Sequence, residues 1–280
     1  MVKRSAVLVY GVLAYLLFFV TFLHAIAFVG GFVVPRQIDG EPGQPLGLAL
    51  AIDLCLLSVF AVQHSVMARP WFKAWLTRFI PREIERSTYV ACASLALQLL
   101  FWQWQPLGGR VWEVEDPAGR AALWTGFASG WGLVLVVTFL INHFDLFGLR
   151  QVWLAFRGTP YTRVPFTMPG PYRMVRHPLY LGFLLAFWMT PTMTATHLFF
   201  AAVTTAYILV AIQFEERDLI AEHGETYQAY RSRVPMIVPG RTSRATMPTA
   251  GGAATPGPSA TEAAIRERRK AHANDATAAF

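Results

Sequence analysis

The side chains best suited to chemistry gather in one stretch, Gly170-Pro171-Tyr172-Arg173-Met174-Val175-Arg176-His177-Pro178-Leu179-Tyr180-Leu181-Gly182, answered further along by Glu215-Glu216-Arg217. Arg176 and His177 are donors suited to a carboxylate, and Glu215 or Glu216 can accept from an ammonium or from hydroxyls. Tyr172 and Tyr180 offer aromatic faces to a flat ring or a cation. Pro178 suits the first turn of a helix, whose free backbone N–H groups favour an anion. The bland alternative makes Arg176, Glu215 and Glu216 interfacial charges flanking apolar runs. Ionisable groups near membrane depth are costly and usually functional, which favours the chemical reading.

These groups must be positioned by elements of a particular kind. The sequence contains no Gly-rich dinucleotide loop and no strand–Gly-loop–helix pattern, which excludes a soluble cofactor domain. With 54% hydrophobic and only 15% charged residues, the chain is too apolar for a soluble domain of its length. Its apolar residues fall in long runs: 5–34, 87–105 and 121–141 carry no charge, and 46–68 carries only Asp53. A helix needs about 20 such residues to cross the hydrocarbon core, so all four qualify as spans. The first run opens with Lys3 and Arg4 but far exceeds a cleavable signal, so it reads as a retained span.

A shorter apolar run begins at Leu179, breaks at Pro191 and resumes from Leu198 to Gln213. This predicts a two-helix hairpin over 179–213, with the proline at its turn. The expectation is therefore an all-α integral membrane protein of four long transmembrane helices plus a hairpin. It occupies 1–240 as one membrane domain, and 241–280, rich in Ala, Thr, Pro and Gly, reads as a disordered tail. Arg69, Lys73, Arg78, Arg82 and Arg86 follow the second run, and Arg150, Arg157, Arg163, Arg173 and Arg176 follow the fourth. By the positive-inside rule those segments and both termini face the cytoplasm. The net charge of +7 thus reports topology and affinity for anionic lipid heads, not nucleic-acid binding. Cys55 and Cys92 sit inside apolar runs, where packing is their expected role, and no ligand spacing suggests a metal.

An Arg-His-Pro-x-Tyr-x-Gly motif, a helical hairpin and then Glu-Glu resembles the isoprenylcysteine carboxyl methyltransferase group of membrane enzymes over about 170–239, with Tyr227, Tyr230, Arg233, Pro235 and Pro239 also fitting. The stretches Gln63-His64-Ser65-Val66-Met67-Ala68-Arg69-Pro70, Glu85-Arg86-Ser87-Thr88-Tyr89 and Asn142-His143-Phe144-Asp145-Leu146-Phe147-Gly148-Leu149-Arg150 narrow this. They are similar to the bacterial methanethiol S-methyltransferases, relatives of the NnrU proteins. The resemblance implies S-adenosylmethionine as cofactor, held by Tyr172, Arg176, His177, Pro178, Tyr180, Leu181, Glu215 and Glu216. It also implies methanethiol as the small thiol acceptor, dimethyl sulfide as product, and a multi-pass protein of the bacterial inner membrane.

Methyl transfer from a sulfonium is an in-line displacement, in which the protein chiefly aligns donor and acceptor. A thiol is a poor nucleophile beside its thiolate, so a base near the acceptor would help. His64 and His143 are the candidates, with Asp145 to orient either of them. By the derived topology these three lie at the same cytoplasmic helix ends as Arg176, His177 and Glu215. Asp53, in mid-span on the face of His64, must be protonated or paired, and His24 reads as packing. Two rivals stand beside this reading. One is a membrane methyltransferase for another thiol, a lipid amine or a prenylated protein. The other is an NnrU-like haem protein with His24, His64 or His143 as axial ligands.

Overall fold

The computed structural model describes residues 2–162 and 170–240. The tail assigned to disorder, and the breakers Pro165 and Pro169, lie outside the described residues.

Helix α1 spans Val2–Gly30 and α2 spans Leu46–Ala68. A short surface helix α3 (Pro70–Leu76) then leads into α4 (Arg82–Gln103). Strand β1 (Arg110–Glu113) precedes α5 (Pro117–Leu140), and α6 (His143–Leu146) and α7 (Leu149–Arg157) follow it. A 3-10 turn at Gly170–Arg173 introduces α8 (Pro178–Trp188), β2 (Thr192–Thr194), α9 (Ala195–His223) and α10 (Glu225–Arg233). Prolines write several of these starts: Pro70, Pro117 and Pro178 each occupy the first turn, where a missing N–H costs nothing. Side-chain caps write others. Asp116 accepts from Gly119 N–H at 2.7 Å to open α5, and Thr194 accepts from His197 N–H at 3.0 Å to open α9.

Four helices are long and apolar enough to cross a membrane: α1, α2, α5 and α9. Helix α4, expected as the third span over 87–105, is less apolar because Arg82, Glu83, Glu85 and Arg86 are part of it. It packs against both α1 and α2. The run expected to end at Gln213 continues as helix to His223, so α9 carries Glu215 and Glu216 in its last turns.

Helix α8 is only 11 residues long and docks along α5 far more extensively than along α9. Two glycines permit this. A Cβ on Gly130 would lie 2.6 Å from Ala186 N and 2.7 Å from Gly182 O, and one on Gly182 would lie 2.8 Å from Gly130 O. Backbone thus meets backbone, the means by which apolar helices gain packing energy in lipid. Around this contact lies the main core of Phe28, Leu100, Trp104, Trp131, Phe187 and Phe200.

A two-stranded antiparallel ribbon, Arg110↔Thr194, Trp112↔Met193 and Glu113↔Thr192, was not anticipated in an all-helical chain. Its strands of 4 and 3 residues are too short to show a period of two in sequence. It joins the chain before α5 to the turn between α8 and α9.

Candidate functional site

The site is built where α8 begins and α9 ends. Just before α8 the chain pairs with the segment after α10: Arg176 N–H donates to Pro235 O at 2.8 Å, and His177 N–H to Met236 O at 3.1 Å. That pairing aims both side chains at Glu216. Arg176 Nε donates to Glu216 Oε1 at 2.7 Å and His177 Nε2 to the same oxygen at 3.2 Å, while Arg231 Nε from α10 reaches Oε2 at 3.0 Å. Arg176 also donates to the carbonyls of Arg231 and Val234, at 3.0 and 2.6 Å. One carboxylate therefore receives three donors, and its side chain is only 4% exposed. A buried ion pair holds only when its remaining valences are met in this way.

Glu215 and Arg231 are the open members of the cluster, with side chains 46% and 47% exposed. Glu215 Oε2 lies 3.8 Å from His177 Nδ1, and Tyr180 hydrogen-bonds Glu215. The rings of His177 and Tyr180 stand 5.7 Å apart. Tyr230 OH donates to Tyr172 O at 2.7 Å, tying α10 to the turn before the motif. Burial first, and then Glu215, push the Tyr172 phenol up to about 12, so it stays a neutral donor with an intact aromatic face. Leu181 N–H donates to His177 O at 3.1 Å in the first turn of α8, and Leu181 packs with Ile208, Ile212 and Ile237.

The structure thus brings together Tyr172, Arg176, His177, Pro178, Tyr180, Leu181, Glu215 and Glu216, with a division of labour that sequence does not reveal. Arg176 and Glu216 spend their charges on each other, whereas Glu215 remains open. Arg231 escaped the sequence reading; the one available signal was its place one turn after Tyr227 in a short polar helix.

His64 occupies a neighbouring place between α2 and α4. Tyr89 OH lies 3.0 Å from both of its ring nitrogens, and Phe60 stacks on it at 5.2 Å. Beside it Ser65 Oγ bonds Tyr207 OH of α9 at 3.1 Å. Tyr180 lies within electrostatic range of both Tyr207 and Tyr89.

His143 and Asp145 belong to a different network. His143 is buried, with Nε2 bonded to Tyr15 OH at 2.9 Å, Nδ1 to Thr138 Oγ1 at 2.8 Å and Phe139 stacked at 4.2 Å. Burial holds its imidazole below the ordinary 6.5. Asp145 pairs with Arg150 at 2.9 Å and accepts from Tyr161 OH at 3.1 Å. Among the described residues, neither shares a hydrogen bond or ion pair with the Arg176–Glu216 cluster.

The two puzzling polar groups of the spans also find surroundings. Asp53 Oδ1 accepts the Gln105 amide at 2.9 Å, and its Oδ2 is buried without a hydrogen bond. His24 Nδ1 meets Gln98 Oε1 at 2.9 Å, and Gln98 reaches Thr21 at 3.1 Å, a polar clasp between α1 and α4. Among the described residues no group of three His, Cys, Asp or Glu could hold a metal ion.

A bundle of apolar helices with a buried, three-donor carboxylate at the joint of α8, α9 and α10 defines a polytopic helical membrane protein with one concentrated polar site. Comparison with known proteins makes this particular. The chain is 57% identical to the methanethiol S-methyltransferase of Mycobacterium tuberculosis, over 85% of this chain and 97% of that protein. It is 55% identical to that of Crocosphaera subtropica, over 85% of this chain and 93% of the relative. Nurim of Mus musculus is 33% identical over 61% of this chain and 68% of its own length. No family model matches the chain, and no solved structure does. The chain belongs to the methanethiol S-methyltransferase family.

Proposed function

We propose that this protein moves a methyl group from S-adenosylmethionine to methanethiol, giving dimethyl sulfide, at a site on the cytoplasmic face of the bacterial inner membrane. The observation that carries the reading is the 57% identity to a methanethiol S-methyltransferase across 97% of that protein. The positive segments around Arg69–Arg86 and Arg150–Arg176 support the orientation, because they bound the same helix ends as the site.

The donor set suits S-adenosylmethionine, which would supply an electrophilic methyl on sulfur. Glu215 would accept from its ammonium or ribose hydroxyls, and Arg231 would donate to its carboxylate, the two half-exposed charges of the cluster. Arg176, His177 and Glu216 form the rigid floor that fixes where those two groups stand. Tyr172 and Tyr180 offer the aromatic faces, and Pro178 and Leu181 shape the first turn of α8. His64 would take the thiol proton: Tyr89 OH stands 3.0 Å from its ring nitrogens, and Tyr89 lies within electrostatic range of Tyr180. His143, with both ring nitrogens engaged, and Asp145, paired to Arg150, would hold α6 in place.

The test is headspace gas chromatography of cells expressing the protein and supplied with methanethiol. Dimethyl sulfide is expected from the parent, and much less of it from well-folded His177→Ala or Glu215→Ala variants. A parent that binds S-adenosylmethionine yet forms no dimethyl sulfide would retire methanethiol as acceptor and turn the search to other thiols and lipid amines.

A further inference from the structure

Forming the S–CH3 bond of dimethyl sulfide breaks the S–H bond of methanethiol. The electron pair of the broken bond to the transferred methyl stays on the donor sulfur, so one proton is left over each turnover. His64 can accept that proton only once unless it is passed on.

One direction leads outward. Tyr89 OH stands 3.0 Å from both ring nitrogens of His64. On α4, Glu85 lies one turn before Tyr89, on the same helix face and within electrostatic range of it, with no hydrogen bond between the two. Arg86 lies 5.2 Å over the Tyr89 ring and is held by Leu146 O at 2.7 Å. Glu85 and Arg86 both line a cavity of about 620 Å³ between α3, α4, α6 and α7. Lys73, Arg82, Glu83 and Asp145 complete its charged lining. Glu85 Oε1 is buried and has no hydrogen-bond partner within the protein. A buried acceptor left unmet calls for water or a proton, and a polar space of this size holds water readily.

We propose that Glu85 is the outlet for the reaction's proton, which leaves methanethiol for His64, crosses the Tyr89 hydroxyl and reaches Glu85 through the water of this cavity. The inference rests on the function proposed above. The hydroxyl relays without ionising, since it accepts on its oxygen while donating its own hydrogen, so the Tyr89 phenol need not become a phenolate. The groups facing the route are Arg69, Arg86, Tyr180 and Tyr207 around His64 and Tyr89, and Lys73, Arg82, Glu83, Arg86, Asp145 and Tyr161 around Glu85. Glu85 touches neither thiol nor cofactor, so it is a positioning residue for proton release.

The test uses the purified full-length protein in micelles, with initial rates of dimethyl sulfide formation followed from about pH 6 to 9 at saturating S-adenosylmethionine. Glu85→Gln should lower kcat about tenfold near neutral pH, less than the 10²–10⁴ expected of a direct base. The deficit should narrow as pH rises and hydroxide takes over, with KM for S-adenosylmethionine unchanged. Tyr89→Phe should behave alike, Glu85→Asp should retain most activity, and formate should restore part of the rate of Glu85→Ala. A Glu85→Gln enzyme with the parent's kcat and pH profile would overturn the route. So would a loss equal at every pH that formate does not relieve, which marks a structural role. A parent that forms no dimethyl sulfide at all would overturn the functional reading first and the route with it.

Discussion

Two buried histidines mark opposite ends of the α8–α9 pair, each beside a carboxylate, and they are put to different uses. His177 precedes α8 and donates to Glu216 at 3.2 Å. His197 lies in the first turn of α9, bonds Phe187 O through Nε2 at 2.9 Å and has Asp39 Oδ2 3.7 Å from Nδ1. Around His197 the partners are structural: Asp39 accepts from Thr194, and Thr196 Oγ1 accepts from Leu107 N–H at 2.7 Å, binding the loops to the ribbon. Around His177 the partners are charged, and two of them, Glu215 and Arg231, stay half-exposed. An imidazole next to a carboxylate therefore says little alone. What separates a clasp from a candidate site is whether charge is left open once the buried pairs are satisfied.

The largest effect is expected at Glu216. Glu216→Ala strands two guanidinium groups, and losing one partner of a buried pair costs roughly 3–5 kcal/mol. It should abolish activity and lower thermal stability together, seen in a melting curve beside a rate assay. His197→Ala should lower the melting temperature while leaving the rate per folded molecule near the parent's. Loss of methyl transfer from folded His197→Ala would erase the distinction between the two ends. Glu215→Gln keeps shape and removes only the open charge. It should raise KM for S-adenosylmethionine about tenfold, the effect of roughly 1.4 kcal/mol, with little change in stability. His64→Gln should instead lower kcat by on the order of 10² with KM for the cofactor unchanged.

The smallest effect concerns His143. Burial lowers its affinity for a proton below the ordinary 6.5, so in acid the unfolded chain binds a proton that the folded one resists. Its contribution is present above that value and is lost as pH falls toward the depressed folded value. Half-life at a fixed temperature should shorten on acidification below about pH 6.5, and less so in a His143→Gln variant.

The spans were legible because lipid imposes a coarse demand, long runs with almost no charge, that Leu46–Ala68 and Pro117–Leu140 meet with one charged residue each, Asp53 and Arg120. The motif residues were legible because Arg176, His177, Glu215 and Glu216 are costly types in such surroundings. Pairing was not legible. That Glu216 is closed and Glu215 open depends on a single step around α9, and on Arg231 arriving from α10. Asp39 meets His197 across most of the chain, with no local pattern to announce it. The close approach of Gly130 and Gly182 is likewise a property of two helices together.

The most direct test supplies purified parent, Glu215→Gln and His197→Gln proteins with methyl-labelled S-adenosylmethionine and methanethiol, and measures label in dimethyl sulfide. The account predicts labelled product from the parent and from folded His197→Gln, and a marked loss in Glu215→Gln that saturating cofactor partly recovers. Labelled product from Glu215→Gln at the parent's KM, or none from the parent, would contradict it.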